Sequence, residues 1–380
     1  MLTAPNLGGP RMSTDTIGFN GGGEFYSELK QRVKEHVAAP GAERTAKRQL
    51  YIKTFVIFAW AAASWTLMVF FANNWWQAGL CAVSLGLAVA GIGFNVTHDA
   101  NHGSYSNVRW LNRWMRWSLD VIGASSYVWR IKHNVVHHTY TNIAGADSDI
   151  EQLPFLRLAP DQKRRFMHRY QHIYAWFLYG FFAIKWQIIG DLMQLKMGRI
   201  EETPLPWPRG KELVGFWVGK AIFLGWTIGI PLFFHPVWVV ALGFFVGSFI
   251  LAFTIALTFQ LAHCVEEASF STIPQMAEAG RVEWARHQVE TTVDFAPKSR
   301  LLAWYMGGLN FQIEHHLFTK VCHTHYPKLA PIVQEVCERH GVRYQVHRTL
   351  AGALNSHVRW LRRMGRAVPT PDTSALPQSA

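Results

Sequence analysis

Eight of the chain's 18 histidines are candidate metal ligands, and seven of these eight fall into short clusters whose spacing favours metal binding. They are His98 and His102 in HDANH, His133, His137 and His138 in HNVVHH, His263 alone, and His315 and His316 in QIEHH. Imidazoles four residues apart lie on one face of a helix and can bind one ion, whereas adjacent ones point about 100° apart and can reach two ions. Because iron takes about six ligands and zinc about four, eight histidines predict two metal ions. Imidazole binds iron, copper, zinc and nickel, so these residues leave the identity of the metal open.

Other metal-site patterns do not fit the sequence. It has neither the Glu-x-x-His pair of carboxylate-bridged di-iron bundles nor the HExxH motif of zinc proteases. A further HxxxH pair, His168 and His172, lies beside Arg164, Arg165 and Arg169, and we predict that this positive charge prevents it from binding a cation. Six more histidines are expected to be ordinary surface or hydrogen-bonded residues: His287, His323, His325, His340, His347 and His357. Of these six, His287 is the strongest further candidate for the metal site.

The elements that must position the clusters are long apolar helices. Four stretches, residues 51–72, 75–96, 213–234 and 237–262, are about as long as the 20 residues that cross a bilayer, and Lys53 and Lys220 are their only charged residues. The connectors Asn73-Asn74 and His235-Pro236 are so short that each pair of spans is predicted to form a hairpin. The sequence therefore predicts an all-α integral membrane protein with four transmembrane helices in two hairpins and a helical cap that holds the metals.

The distribution of Lys and Arg predicts the orientation of these spans. The two connectors have none, whereas residues 1–50 have seven, residues 97–210 have fourteen and residues 263–380 have thirteen. By the positive-inside rule, both termini and all eight histidines are predicted to be cytoplasmic. Topology and attraction to anionic lipids account for the formal net charge of +12, so we predict no nucleic-acid partner. Two further apolar stretches, Ser118–Trp129 and Ile173–Leu192, are predicted to be helices in the cytoplasmic interface.

Composition and the chain ends complete the predicted organisation. With 49% hydrophobic and only 16% charged residues, the chain is neither disordered nor an ordinary soluble domain. Residues 1–50 are predicted to be a cytoplasmic segment without a signal peptide, disordered over residues 1–23. The membrane domain is expected over residues 51–366, followed by a disordered tail at residues 367–380.

The clusters resemble the three histidine boxes of the membrane fatty acid desaturases. Similarity to the bacterial acyl-CoA and acyl-lipid branch extends to four segments: WRIKHNVVHHTYTNIAGADSDIE from Trp129, HRYQHIYAW from His168, RHQVETTVDF from Arg286, and GGLNFQIEHHLF from Gly307. Gln312, where many desaturases have a histidine, resembles the front-end subgroup, which desaturates between an existing double bond and the carboxyl end. The chain departs from that subgroup because it has no HPGG haem motif of a fused cytochrome b5 domain, and because Thr319 replaces a usual proline.

The resemblance implies a di-iron centre and dioxygen as co-substrate. The implied iron ligands are His98, His102, His133, His137, His138, His263, His315 and His316, with Gln312 as a possible additional contact. No catalytic residue is expected beyond the metal centre. Residues that would orient the ligands from outside are Asp99, Asn142, Asp147, Asp149, His287 and Asp294.

The same resemblance implies a long-chain acyl-CoA or acyl-lipid substrate and a cis double bond in the product. With no haem, flavin or iron–sulfur motif in the sequence, we expect the electrons to come from a separate ferredoxin, cytochrome b5 or flavoprotein reductase. An acyl hydroxylase or acetylenase would use the same boxes and remains an alternative. A multi-span transporter is a remote alternative, because its polar ligands would lie near the bilayer midplane, where these spans have almost none.

Overall fold

A computed structural model describes Thr14 and residues 17–366, and most of these residues are helical. Four helices are long and apolar enough to cross a membrane, and we call them the first to fourth long helices: Ala42–Phe71, Trp75–His102, Lys211–Leu232 and Val237–His263. Each predicted span coincides with one of them. The first helix begins earlier than its predicted span, and the second runs on through the whole of HDANH. The first histidine cluster is therefore part of a long helix and does not lie in a loop after it.

Close packing fixes these helices against one another. The second long helix packs against both the first and the fourth. A side chain at Gly86 would place its Cβ only 2.5 Å from the carbonyl oxygen of Gly247, so glycine is required where the second and fourth helices approach. Trp60 on the first helix donates a hydrogen bond to Ser84 on the second at 2.9 Å. These contacts fix the second helix against the first and the fourth.

The surface of the long helices suits a bilayer. Large apolar side chains are exposed along them, including Phe55 at 75% and Trp238 at 69%. Both lysines within the spans face the interior of the protein: Lys53 is buried and donates to His323 at 2.9 Å, and Lys220 forms an ion pair with the buried Asp191 at 3.1 Å. Such a surface is stable in lipid and not in water.

The other helices and strands are short. The helices are Glu24–Ala38, Arg109–Val121, residues 126–140, 166–179 and 182–197, Ile273–Glu278, Trp284–Glu290, Arg300–Tyr305, Gln312–Leu317, residues 323–339 and Leu350–Gly365. The described residues also contain four two-stranded pairings, of which all but the third are parallel: Gly18–Asn20 with Arg281–Glu283, Ile143–Ala144 with Ser271–Thr272, Arg199–Ile200 with Thr203–Pro204, and Asp294–Phe295 with Val346–His347. The fold is mostly helical, as predicted, and these strands are additional to the prediction.

The prediction of a disordered beginning is wrong for Gly18–Asn20, which form a strand. The ring of Phe19 lies 5.2 Å from that of His287, and this apolar contact anchors a segment whose composition alone indicates disorder. Residues 1–13, 15 and 16, and the predicted tail at residues 367–380, lie outside the described residues.

Both helices predicted for the interface are interrupted. In Ser118–Trp129 one helix ends at Val121 and the next begins at Ser126, with Gly123 between them at a φ of +104°. A Cβ on Gly123 would lie 2.8 Å from the ring of Phe223, so this turn needs glycine. In Ile173–Leu192 the helix breaks between Tyr179 and Phe182. The apolar pattern continues across both breaks, which is why it predicted single helices.

The helix that carries the last histidine cluster is held by a separate core. Ile313 and Leu317, on the helix Gln312–Leu317, pack in one apolar cluster with Phe25 and Leu29 of the helix Glu24–Ala38 and with Val333 of the helix 323–339. The two terminal regions of the chain thus position the third cluster against the long helices.

Candidate metal centre

Four different elements bring the eight histidines together. His98 and His102 end the second long helix, and His263 is the last residue of the fourth. The HNVVHH cluster lies in the helix 126–140, and His315 and His316 lie in the helix Gln312–Leu317. Seven of the eight are buried, and His133 is partly buried.

Two of these helices have π-helical turns at the site. One turn covers Gly93–Thr97, directly before the first cluster, and another covers Arg130–His137. π-turns are rare and often occur at functional sites. Despite the wider turn, the rings of His133 and His137 lie 5.4 Å apart, so the spacing still puts both side chains at the site.

The imidazoles form two adjacent groups. The ligand atoms of His98, His102, His133 and His315 lie within 4.8 Å of one another, and so do those of His137, His263 and His316. His138 lies between the groups, because its ligand atom lies within 4.8 Å of the ligand atoms of both His315 and His316. This geometry fits two neighbouring metal ions.

Unpaired nitrogens support the same interpretation. Buried ring nitrogens without a hydrogen-bond partner occur on seven of the eight: His98, His102, His137, His138, His263, His315 and His316. An unpaired buried polar atom costs about 1–3 kcal/mol, so such a concentration is unfavourable unless the nitrogens bind something. Metal ions bound by these nitrogens would remove that cost.

The electrostatics favour neutral ligands. Burial, together with repulsion from neighbouring imidazoles, lowers the pKa of His133, His138, His315 and His316. Neutral imidazole has the lone pair that a metal requires. His137 differs: burial opposes its charged form, but Asp147 and then Asp149 raise its pKa above the usual value.

Comparison with known proteins agrees with this geometry. The fatty acid desaturase family model matches residues 73–348. Across 374 residues the chain is 39% identical to the sn-1 linoleoyl-lipid 6-desaturase of Arthrospira platensis, which covers 96% of this chain and 98% of that protein. It is 34% identical over 365 residues to the protein of the same name from Synechocystis sp., covering 94% and 99% of the two chains. It is also 34% identical over 348 residues to the acyl-lipid (8-3)-desaturase of Physcomitrium patens, covering 90% and 72%.

The chain belongs to the fatty acid desaturase family. It is therefore an oxidoreductase of lipid metabolism that introduces double bonds into acyl chains. The histidine groups of this desaturase are its candidate metal site.

Side chains around the desaturase centre orient several of its imidazoles. His137 Nδ1 donates to Asp147 at 3.0 Å, and His316 Nδ1 donates to Gln288 at 2.7 Å. Each bond leaves the Nε2 atom of the same ring unpaired and turned to the site. Such bonds fix the tautomer of a metal-binding histidine. Of these two partners, Asp147 was predicted from the sequence and Gln288 was not.

The other predicted surrounding residues act less directly. Asn142 donates from its side chain to the carbonyl oxygen of His263 at 3.0 Å. Asp99 lies 3.7 Å from His98 Nδ1 but accepts its hydrogen bond from His323, at 2.9 Å. Asp149 pairs with Lys132 at 2.6 Å and lies 3.8 Å from His137.

Asp294 and His287 bind backbone atoms close to the site. Asp294 accepts from Ile313 N at 3.0 Å, at the start of the helix with the third cluster, and from Tyr344 OH at 2.6 Å. Burial raises the pKa of Asp294 to about 6. His287 donates to the carbonyl oxygen of Thr141 at 2.9 Å, and burial lowers the pKa of His287 to about 4. Both residues therefore hold the backbone beside the histidines.

Gln312, the predicted additional metal contact, lies at the second group. Its amide nitrogen is 3.0 Å from His263 Nε2. The amide thus contacts a candidate ligand directly.

The HxxxH pair His168 and His172, which is predicted not to bind metal, is separate from the two groups. Both ring nitrogens of His168 bind backbone: Arg165 N donates to Nδ1 at 3.0 Å, and Nε2 donates to the carbonyl oxygen of Pro154 at 2.9 Å. His172 lines a pocket with several arginines.

His323, expected to be an ordinary residue, is buried between Lys53 and Asp99, one step removed from His98. Contacts between residues so distant in sequence give no local signal.

Proposed function

We propose that this desaturase introduces a cis double bond into a long acyl chain of a membrane lipid, on the carboxyl side of an existing double bond. The relatives support this specificity by name: two act on linoleoyl lipids at position 6, and several others are acyl-lipid (8-3)-desaturases. Gln312 in the third box supports the same front-end assignment. The observation that carries the proposal is the convergence of eight histidines, seven of them buried, in two adjacent groups.

We propose further that the two groups each hold one iron. The first iron would be bound by His98, His102, His133 and His315, and the second by His137, His263 and His316, with His138 between them and Gln312 beside the second. Irons held by these residues would supply the chemistry that activates dioxygen for removal of two hydrogens from adjacent methylenes. Two electrons come from the broken C–H bonds and two from a donor, so that dioxygen is reduced to water.

The protein's own residues orient the ligands and exclude water. Asp147 and Gln288 orient His137 and His316. Aromatic side chains cover the centre: the ring of Trp129 stacks on His133 at 4.2 Å, and that of Phe259 lies 4.5 Å from His263. A dry centre strengthens electrostatic interactions and limits side reactions of the oxidant.

For the topology we propose two transmembrane hairpins with a cytoplasmic helical cap. His102 and His263 end the second and fourth long helices, so the site belongs at one end of the bundle, away from the connectors, which carry no Lys or Arg. Both termini would then be cytoplasmic, with residues 51–366 forming the membrane domain in a bacterial cytoplasmic membrane. Cysteine labelling should mark position 74 from outside and the exposed position 135 from inside. External labelling at position 135 would contradict this orientation.

For the electrons we propose a separate ferredoxin, cytochrome b5 or flavoprotein reductase. The formal charge of +12 would favour an acidic donor, because complementary charge accelerates encounter. Turnover with a reduced acidic ferredoxin should therefore fall as salt is raised from low to physiological concentration.

The function is tested by expression in a host without this activity, fed linoleate. Mass spectrometry of the lipids should find an acyl chain that has lost two hydrogens, with a new double bond at carbon 6 of lipid-bound chains. A His137→Ala variant, present at equal membrane abundance, is the control and should give no product. An added oxygen would instead identify a hydroxylase, and a triple bond an acetylenase.

A further inference from the structure

A group of arginines surrounds a pocket away from the histidine groups. The pocket has a volume of about 570 Å³ and forms where the helix 166–179 meets the C-terminal helix Leu350–Gly365. Its lining residues are Arg164, Arg169, His172, Arg362, Gly365 and Arg366. Four arginines thus line one cavity.

These arginines have no acidic partner among the residues that the structure describes. Some exposed arginines elsewhere do have such a partner, as Arg359 has in Glu266 and Arg339 in Glu28. At the pocket, Arg164 donates instead to the carbonyl oxygen of Gly365 at 2.8 Å, which fixes the side chain across the pocket wall. Like charges held together repel one another unless an anion lies between them.

His172 adds a polar group suited to the same ligand. Its Nδ1 atom is buried and has no hydrogen-bond partner. Burial, and then the charge of Arg362, lower the pKa of His172, so the ring is neutral and can donate one hydrogen bond. Arginine forks bind phosphate through paired N–H donors, so the set is matched to an anion with several oxygens.

An apolar row beside the pocket identifies the source of that anion. Phe166, Tyr170, Ile173 and Phe177 are exposed at 76%, 45%, 64% and 62%, three or four residues apart along the helix that carries Arg169 and His172. At the far end of the row, the ring of Phe177 lies 5.9 Å from that of Phe249, in the middle of the fourth long helix. The row therefore leads from the arginines to the hydrocarbon layer. Basic and apolar faces on one helix are typical of binding at a membrane surface.

We propose that the arginine pocket binds the phosphate of an anionic phospholipid whose acyl chain lies along this apolar row. A soluble phosphate or an acidic protein would use the arginines but would leave the row Phe166 to Phe177 in water. This site is independent of the proposed desaturation, because its residues are not among the histidines or their partners.

Native mass spectrometry of the purified full-length protein in neutral detergent tests the proposal, with phosphatidylglycerol compared to phosphatidylcholine of the same acyl chains. The wild type should bind phosphatidylglycerol preferentially. Each arginine contributes roughly a factor of five to the affinity for an anionic lipid, so R169Q/R362Q should lower that affinity about 30-fold and abolish the preference. The matched control is Arg363→Gln, on the same helix but over the ring of Trp360 and outside the pocket, and it should keep the preference.

Three results would overturn the proposal. The first is a wild type that does not distinguish the two lipids, and the second is an R169Q/R362Q variant that binds phosphatidylglycerol as the wild type does. The third is complete displacement of the lipid by inorganic phosphate at millimolar concentration, which would identify a site for free phosphate. The melting temperature of each variant is measured to establish that it is folded. The variant R169K/R362K keeps both charges and should retain most of the preference for phosphatidylglycerol, even if R169Q/R362Q unfolds.

Discussion

Replacing Gln288 by methionine tests the least expected contact at the metal centre. Gln288 is fully buried, and its side-chain oxygen accepts a hydrogen bond from His316 Nδ1 at 2.7 Å. This bond places the proton on Nδ1 and leaves Nε2, which has no other partner, free to bind metal. Methionine has nearly the same size but cannot accept a comparable hydrogen bond, so His316 would lose its fixed tautomer and ring orientation.

Loss of such an orienting bond lowers metal affinity by about 10- to 100-fold, equivalent to roughly 1.4–2.7 kcal/mol. Gln288→Glu is the matched control, because its carboxylate keeps the acceptor and should retain iron. Iron bound per chain is measured at a series of free iron concentrations set by a chelator, with circular dichroism to establish that both variants are folded. If Gln288→Met held iron as tightly as the wild type, the proposed orientation of His316 would be wrong.

The other predictions concern the pair His168 and His172, a buried ion pair, and the dependence of stability on pH. His137→Ala should lose both iron and turnover, whereas His168→Ala should keep its iron because both of its nitrogens bind backbone; equal loss of iron from the two folded variants would contradict this. Lys220→Met should destabilise the protein by about 3–5 kcal/mol, because Asp191 is left buried and unpaired, and K220M/D191L should recover stability in a denaturant titration. Burial raises the pKa of Asp120 from 3.8 to about 7, so the folded state holds this proton more tightly than the unfolded chain and loses stability as the pH rises between those values. Asp120→Asn should therefore raise the melting temperature at pH 8 and leave it unchanged at pH 4; an equal change at both would refute the ionisation argument.

Much of the fold could be predicted from the sequence because the relevant signals are local. Apolar length predicted the four long helices, and their observed bounds contain most of each predicted span. The spacing of His98 and His102, or of His133 and His137, is likewise a local pattern, and the structure places all four side chains at one site. The prediction of two metal ions followed from the number of histidines alone and required no knowledge of how the helices pack.

The remaining features depend on contacts between distant residues. Gln288 lies 28 residues before His316, and His323 lies 224 residues after Asp99, so no periodicity connects either pair. The interrupted helix at Gly123 has the same origin, since the residue that demands glycine is Phe223 on the third long helix. Composition predicted disorder around Phe19, but packing against His287 orders that segment.

The iron content of the purified protein tests the central claim most directly. Eight converging imidazoles in two groups predict two irons per chain after anaerobic reconstitution with ferrous iron, measured by elemental analysis alongside protein concentration. A single zinc, or no retained metal in folded protein, would contradict the di-iron assignment.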